Sequence, residues 1–127
     1  MKILGIGVDI VKNQRIKSLV KNKNFIKRVF SKNEILNSKS IKNKIFYYSK
    51  RFAAKESFAK ALGLGFRKGL NFKDIEILND KFGKPYYNKN NKVNRIVQKT
   101  LNVKKFNLFL SIADEKDYSI AFTIIES

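Results

Sequence analysis

Residues 50–63 read KRFAAKESFAKALG. Alanine, lysine and leucine are good helix formers, and Gly63 supplies the left-handed stop that ends a helix. The spacing predicts a helix from about Asn43 to Leu62, the longest element of the chain. Glu56 and Lys60 sit one turn apart in it, among Ala53, Ala54, Ala59 and Ala61. That spacing ordinarily gives a surface ion pair worth roughly 0.2–0.5 kcal/mol. The alanines also leave the helix little bulk, so another segment or a ligand can approach closely. Alanine is equally a plain helix former, so this point alone decides nothing.

A second stretch, GIGVDIV at 5–11, raises a matching question. The apolar run Ile3–Ile10 reads as a buried strand, yet Asp9 lies between Val8 and Ile10. An ionised carboxylate there must be paired, solvated at a strand end or metal-bound. Taken alone, Asp9 reads as a strand-terminal residue capping a helix that begins at about Asn13. Gly5 and Gly7 do not complete a dinucleotide fingerprint, because position 10 is Ile10. Gly63, Gly65 and Gly69 follow a helix rather than a strand, and no GK[ST] occurs. Both phosphate-loop readings are excluded.

Around these two stretches the pattern is regular. NQRIKSLVK at 13–21 places Ile16, Leu19 and Val20 on one helical face, with Arg15 and Lys17 outside it. Phe25–Phe30 reads as a short helical piece, and Ser31 with Glu34 forms a capping box that opens another. Beyond the loop GLGFRKGLN, Phe72–Leu78 reads as a strand and Asn79-Asp80 as a turn. Gly83-Lys84-Pro85 then precedes a short aromatic strand at Tyr86-Tyr87. Val93, Ile96, Val97 and Leu101 have helical spacing. Phe106, Leu108, Leu110 and Ile112 alternate, as do Tyr118, Ile120, Phe122 and Ile124, and the acidic turn ADEKD between them implies an antiparallel hairpin. The expected fold is α+β: a single compact domain over 1–127, with antiparallel strands packed with a long central helix.

Composition narrows the chemistry. The chain has 127 residues, 43 % of them hydrophobic, with 11 Phe and 5 Tyr, which fits one packed globule. Cysteine and histidine are both absent, which excludes disulfides, thiolate metal sites and a histidine base. Carboxylates, Lys, Tyr, Ser or a hard metal ion on oxygen ligands remain. MKILGIGVDIVK is not a secretory signal, and no apolar run approaches the roughly 20 residues of a membrane span, so a cytoplasmic location is expected. The net charge of +18 attracts polyanions: nucleic acid, phosphorylated cofactors, anionic membrane or an acidic protein. Only 5 of the 28 basic residues are Arg, and the heavy use of Lys, Asn and Ile fits a compositional bias equally well. Lys55 and Lys60 lie on adjacent helical faces and could both address a phosphate, with Arg51 one turn before Lys55. Each taken separately reads as a solvated cation. Lys84-Pro85 is an ordinary turn that could also present a lysine at a ligand's edge.

Taken together, GIGVDIV, RFAAKESFAKALG and NDKFGKPYY resemble the small bacterial phosphopantetheinyl transferases of the holo-acyl-carrier-protein synthase type. The similarity spans the chain, including the LSIADEKDYSIAFTIIES ending and an ARI-like helix around Arg15-Ile16. Its most specific part is KES-x-x-KA-x-G from Lys55 to Gly63, paired with G-x-D at Gly7–Asp9. The resemblance implies transfer of the 4′-phosphopantetheine arm of coenzyme A to a serine of acyl carrier protein, in support of fatty acid biosynthesis. Adenosine 3′,5′-bisphosphate would be released. It implies Mg²⁺ on Asp9 and Glu56, catalytic roles for Glu56 and Lys60, and coenzyme A contacts at Arg51, Lys55, Lys60, Gly63, Lys84 and Pro85. It further implies a homotrimer with active sites at subunit boundaries, and the Lys- and Arg-rich helical stretch suits a docking surface for the acidic carrier, with Arg15 as the candidate residue. The acceptor of the serine proton stays open between Glu56 and a metal-bound water. One departure stands out: many relatives carry a histidine in a SISH-like segment, where this chain has Ser111-Ile112-Ala113-Asp114. The competing reading is a small basic RNA- or ribosome-binding protein without catalysis. It lacks an RNP-like aromatic motif and leaves Asp9 and Glu56 unexplained. A carboxylate pair converging in a cleft separates the two readings.

Overall fold

The computed structural model describes residues 1–67 and 69–127, so Lys68 of the loop after the long helix lies outside the described residues. β1 (Ile3–Lys12) leads into three short helices, α1 (Asn13–Leu19), α2 (Lys23–Val29) and α3 (Lys32–Ser38). The long helix α4 (Lys44–Leu62) follows, then a 3₁₀ turn (Phe72–Asp74), β2 (Glu76–Asn79) and β3 (Pro85–Asn88). The chain closes with α5 (Asn91–Leu101), β4 (Asn107–Asp114) and β5 (Tyr118–Glu126). β1, β5 and β4 form one antiparallel sheet in that order, and β2 and β3 form a separate antiparallel pair.

Local chemistry sets most boundaries. Asn22 and Asn43 cap α2 and α4 through their side-chain oxygens, and Ser31 and Glu34 form the full capping box of α3. Gly63 ends α4 at φ 82, the left-handed region that Cβ disfavours. Two expectations are corrected. Phe72–Asp74 is a 3₁₀ turn closed by reciprocal Asn71 and Asp74 hydrogen bonds, so β2 begins only at Glu76. Asp9 caps no helix, because β1 continues three residues past it and Lys12 occupies the cap position without a side-chain bond.

α4 is the centre of the fold and is buried on nearly every side. Tyr47, Tyr48, Phe52, Phe58 and Leu62 project from it into the core, and Ala53, Ala54, Ala59 and Ala61 let neighbouring elements close in between. It lies so near β1 that a Cβ on Gly5 would stand 2.0 Å from the Ala61 carbonyl oxygen, and one on Gly7 1.9 Å from that of Ser57. The two glycines therefore serve helix–strand contact. The same crowding selects the helix-facing residues of β5: Ser119, Ala121, Thr123 and Ile125 are buried. Within this layer Ser57 and Thr123 share a 2.6 Å hydroxyl bond, and the Tyr87 hydroxyl donates to the Ala54 carbonyl at 2.7 Å. These polar groups are thus satisfied in place.

The opposite sheet face is bare and apolar. Ile6, Val8 and Ile10 of β1, Phe109 of β4, and Ile120 and Phe122 of β5 are all exposed. An antiparallel sheet with one solvated face ordinarily points polar residues outward. Here β1 and β5 turn large side chains outward, while Gly5, Gly7, Ser119, Ala121 and Thr123 are among the residues facing the helix.

Candidate active site

Side chains two apart on a strand share a face, so Gly5, Gly7 and Asp9 all point toward α4. The glycines admit the helix backbone, and Asp9 is the first side chain on that face able to reach beside it. Lys60 Nζ meets Asp9 Oδ1 at 3.0 Å and donates to the Val8 carbonyl at 3.1 Å. No ion pair joins Lys60 to Glu56 among the described residues. The helical pairing predicted from i, i+4 spacing gives way to one across the helix–strand contact.

Glu56 is half-buried, and its carboxyl is pushed above the usual carboxylate range, first by burial and then by the negative charge of Asp9; Lys60 and Arg15 pull it down. Four side chains from three elements, Asp9, Arg15, Glu56 and Lys60, thus share one electrostatic neighbourhood. Arg15 is exposed on α1, its guanidinium 5.7 Å from the centre of the Phe52 ring. Asp9 and Glu56 are near enough for the charge of one to act on the other, a pairing that a transferase reading uses and an RNA-binding reading leaves without a role.

A second cluster lies further back along α4. Arg51 is buried, with its guanidinium 3.6 Å from the Tyr47 ring centre, and donates from Nη2 to Asn79 Oδ1. Asn79 in turn donates to the Gly83 carbonyl at 2.9 Å. The turn itself is built on Asp80, whose Oδ1 accepts from the amides of Phe82 at 2.8 Å and Lys84 at 2.9 Å. Lys84 is exposed, and half-buried Pro85 opens β3. Lys50, Arg51, Tyr47, Asn43, Asn79 and Gly83 help line a groove of about 630 Å³. Arg51 Nε is buried there without a partner, and burial lowers the guanidinium pKa, with Tyr47 and Glu34 opposing. A groove lined by two cationic side chains, Lys50 and Arg51, favours an anionic occupant.

Lys55 requires correction. Its side chain is completely buried, and Nζ donates to Glu34 Oε1 at 2.7 Å, Phe72 O at 3.0 Å and Ile75 O at 2.5 Å. An ammonium has three donors, so none is left for a phosphate. Gly63 is exposed just beyond Lys60; its amide is engaged with the Ala59 and Lys60 carbonyls, and the space where a Cβ would stand is open. Asp114, at the histidine position of many relatives, ends β4 opposite Ser119 and is exposed. Glu34, Lys50 and Asn79 were not identified as site residues from sequence. Glu34 read as a local cap and Asn79 as a turn marker, and neither pattern reveals a partner far along the chain.

The donor set suits a hard ion. Among the described residues no group of three or more Asp, Glu, His or Cys gathers in one place. Asp9 and Glu56 are the carboxylates here that could hold an ion such as Mg²⁺, which takes one or two carboxylates and completes its shell with waters and substrate phosphate.

The family model of the 4′-phosphopantetheinyl transferase superfamily matches residues 5–123, a span containing both clusters, and the chain belongs to that superfamily. The chain is 60 % identical over 126 residues to the holo-[acyl-carrier-protein] synthase of Pelagibacter ubique, covering 99 % of this chain and 98 % of the relative. It is 44 % identical over 128 residues to the synthase of Ehrlichia chaffeensis, covering 97 % and 96 %. Among solved structures, the Neisseria meningitidis synthase superposes with a TM-score of 0.88 at 35 % identity, covering 98 % of this chain and 99 % of the other. The Bacillus anthracis synthase in complex with CoA (3′,5′-ADP) gives 0.83 at 32 % identity, covering 100 % and 99 %.

Proposed function

We infer that this chain is a holo-acyl-carrier-protein synthase: it transfers the 4′-phosphopantetheine arm of coenzyme A to a serine of apo acyl carrier protein and releases adenosine 3′,5′-bisphosphate. The observation that carries the reading is the Asp9–Lys60 pair where β1 touches α4, with Glu56 within reach of both charges, in a chain of this superfamily. The serine oxygen forms a new bond to the β-phosphorus of coenzyme A as the bond from that phosphorus to the bridging oxygen breaks. Negative charge then builds on the departing bisphosphate and must be neutralised. Lys60 uses two of its three donors on Asp9 and Val8, leaving one N–H for a phosphate oxygen. Asp9 and Glu56 would hold a Mg²⁺ ion, which supplies charge neutralisation at the pyrophosphate. With no histidine in the chain, the serine proton has two acceptors, Glu56 and a water beside it.

Coenzyme A has a second anionic end, the 3′-phosphate of its adenosine. The Arg51 groove with Lys50, and with Lys84 and Pro85 at its turn, is the cationic surface suited to that end. Arg51 and Glu56 are five residues apart on α4, about 140° around the axis. Two such faces address one ligand most simply when neighbouring copies contribute opposite halves. The bare apolar sheet face fits this arrangement, because a contiguous exposed apolar patch rimmed by polar residues ordinarily marks an interface. We assign it to assembly of the chain into a trimer with active sites at the subunit boundaries. Arg15, beside Glu56 and exposed, is the docking residue for the acidic carrier. Among the described residues no helix is long and apolar enough to cross a membrane, and we place the enzyme in the cytoplasm.

Mass spectrometry of an apo carrier protein incubated with this protein, coenzyme A and Mg²⁺ tests the reading. Addition of one phosphopantetheine to the carrier is the expected result, and an unmodified carrier overturns it.

A further inference from the structure

The ion pair of Lys55 and Glu34 is wholly buried, far from any solvated role for either charge. Glu34 Oε1 also accepts from the Ser31 amide at 2.9 Å, and Oε2 accepts from the Ile77 amide at 3.0 Å. Together with the Lys55 bonds to Phe72 and Ile75, one pair ties α3, α4, the 3₁₀ turn and β2 at a single point. Such pairs add little to stability, since apolar side chains of similar volume often serve a core as well. What the pair does supply is geometry.

Two placements depend on it. Glu56 follows Lys55 about 100° around the helix, so anchoring Lys55 to α3 turns Glu56 toward β1 and Asp9. Ile77, held by Glu34, lies two residues before Asn79, the link between Arg51 and the Gly83 turn. The pair thus stands between the carboxylate cluster and the Arg51 groove while touching neither ligand surface. We propose that the Lys55–Glu34 pair is a positioning device for both halves of the transfer site: it sets the rotation of α4 that presents Glu56 to Asp9, and the placement of β2 that presents the Asn79–Gly83 turn to Arg51. The proposal rests on the transferase reading of those two clusters.

The test removes the pair without stranding a charge. A single substitution would leave one buried charge uncompensated and could unfold the chain. The double variant Glu34→Gln/Lys55→Met removes both charges while nearly preserving side-chain length, and Gln retains an acceptor for the Ile77 amide. The Phe72 and Ile75 carbonyls lose the lysine donor, so the variant should unfold cooperatively at a lower midpoint than the wild type. Well below that midpoint, its kcat/KM for coenzyme A should fall between about 10- and 100-fold, the scale seen when groups that orient metal ligands are lost. Mn²⁺ binding to the protein alone, followed by electron paramagnetic resonance, should weaken as well. A folded double variant with wild-type kcat/KM and wild-type Mn²⁺ affinity overturns the proposal. Glu34→Asp keeps both charges and draws the carboxylate back by one methylene, so it provides the same comparison should the double variant not fold. Failure of the transferase reading itself shows separately, as absent transfer by the wild-type protein.

Discussion

Replacing Gly7 by alanine tests how the active site is assembled. The added Cβ would lie 1.9 Å from the Ser57 carbonyl oxygen, 2.7 Å from the Ala61 nitrogen and 2.9 Å from the Ser57 carbonyl carbon. All three are main-chain atoms, so no side-chain rotation relieves the overlap. A close carbon–oxygen contact is about 3.3 Å, so β1 and α4 must part by roughly 1.4 Å. Overpacking typically costs about 1–3 kcal/mol, and a collision with the backbone of the central helix belongs at the upper end. In a chain of this size roughly 3 kcal/mol lowers the melting midpoint by about 10–15 °C. The same separation carries Glu56 away from Asp9, and a 1 Å misplacement of reacting groups costs about 10²-fold in rate. Circular dichroism melts and the mass-spectrometric transfer assay, run well below the variant's midpoint, should show both losses together. An unchanged midpoint with wild-type turnover refutes the close-packing account. A lowered midpoint with full turnover removes Gly7 from the geometry of the site.

Glu56→Gln should cut turnover by about 10²–10³-fold, the scale for one key electrostatic group, while raising the melting midpoint at neutral pH. The sign follows from the raised carboxyl: its folded-state pKa exceeds the unfolded value, so the stability it contributes is full below the unfolded pKa and lost as pH rises through the folded one. Melts of both proteins should therefore converge below about pH 4, and a variant less stable than wild type at neutral pH contradicts the assignment. Asp9→Asn added to Glu56→Gln should do little further harm to turnover, because both carboxylates serve one ion; additive losses would separate their roles. Arg15→Glu should raise the KM for carrier protein much more than that for coenzyme A and blunt the salt dependence of transfer, whereas equal effects on both substrates remove Arg15 from docking. Phe122→Glu, placed on the bare sheet face, should reduce the mass measured by light scattering to that of a monomer and abolish transfer; a fully active monomer defeats the shared-site proposal.

What the sequence determined by itself is what near neighbours decide. The long helix and its glycine stop, the Ser31–Glu34 capping box and the hairpin of β4 and β5 depend on residues within a few positions of each other, so their chemistry is legible in one dimension. The transferase family was legible as well, because GIGVDIV and the KES-x-x-KA-x-G stretch keep their spacing along the chain. Tertiary structure alone decided which lysine meets water. Lys55 and Lys60 are the same residue type on the same helix, yet one is sealed against Glu34, 21 positions away, and the other reaches Asp9, 51 positions away. It likewise decided that β5 turns Ser119, Ala121 and Thr123 inward and Phe122 outward. Alternation along a strand separates two faces without saying which one a helix will cover. That choice is made by the distance at which α4 rests on Gly5 and Gly7, a contact between segments some fifty residues apart that favours small side chains such as Ser119, Ala121 and Thr123 beneath the helix.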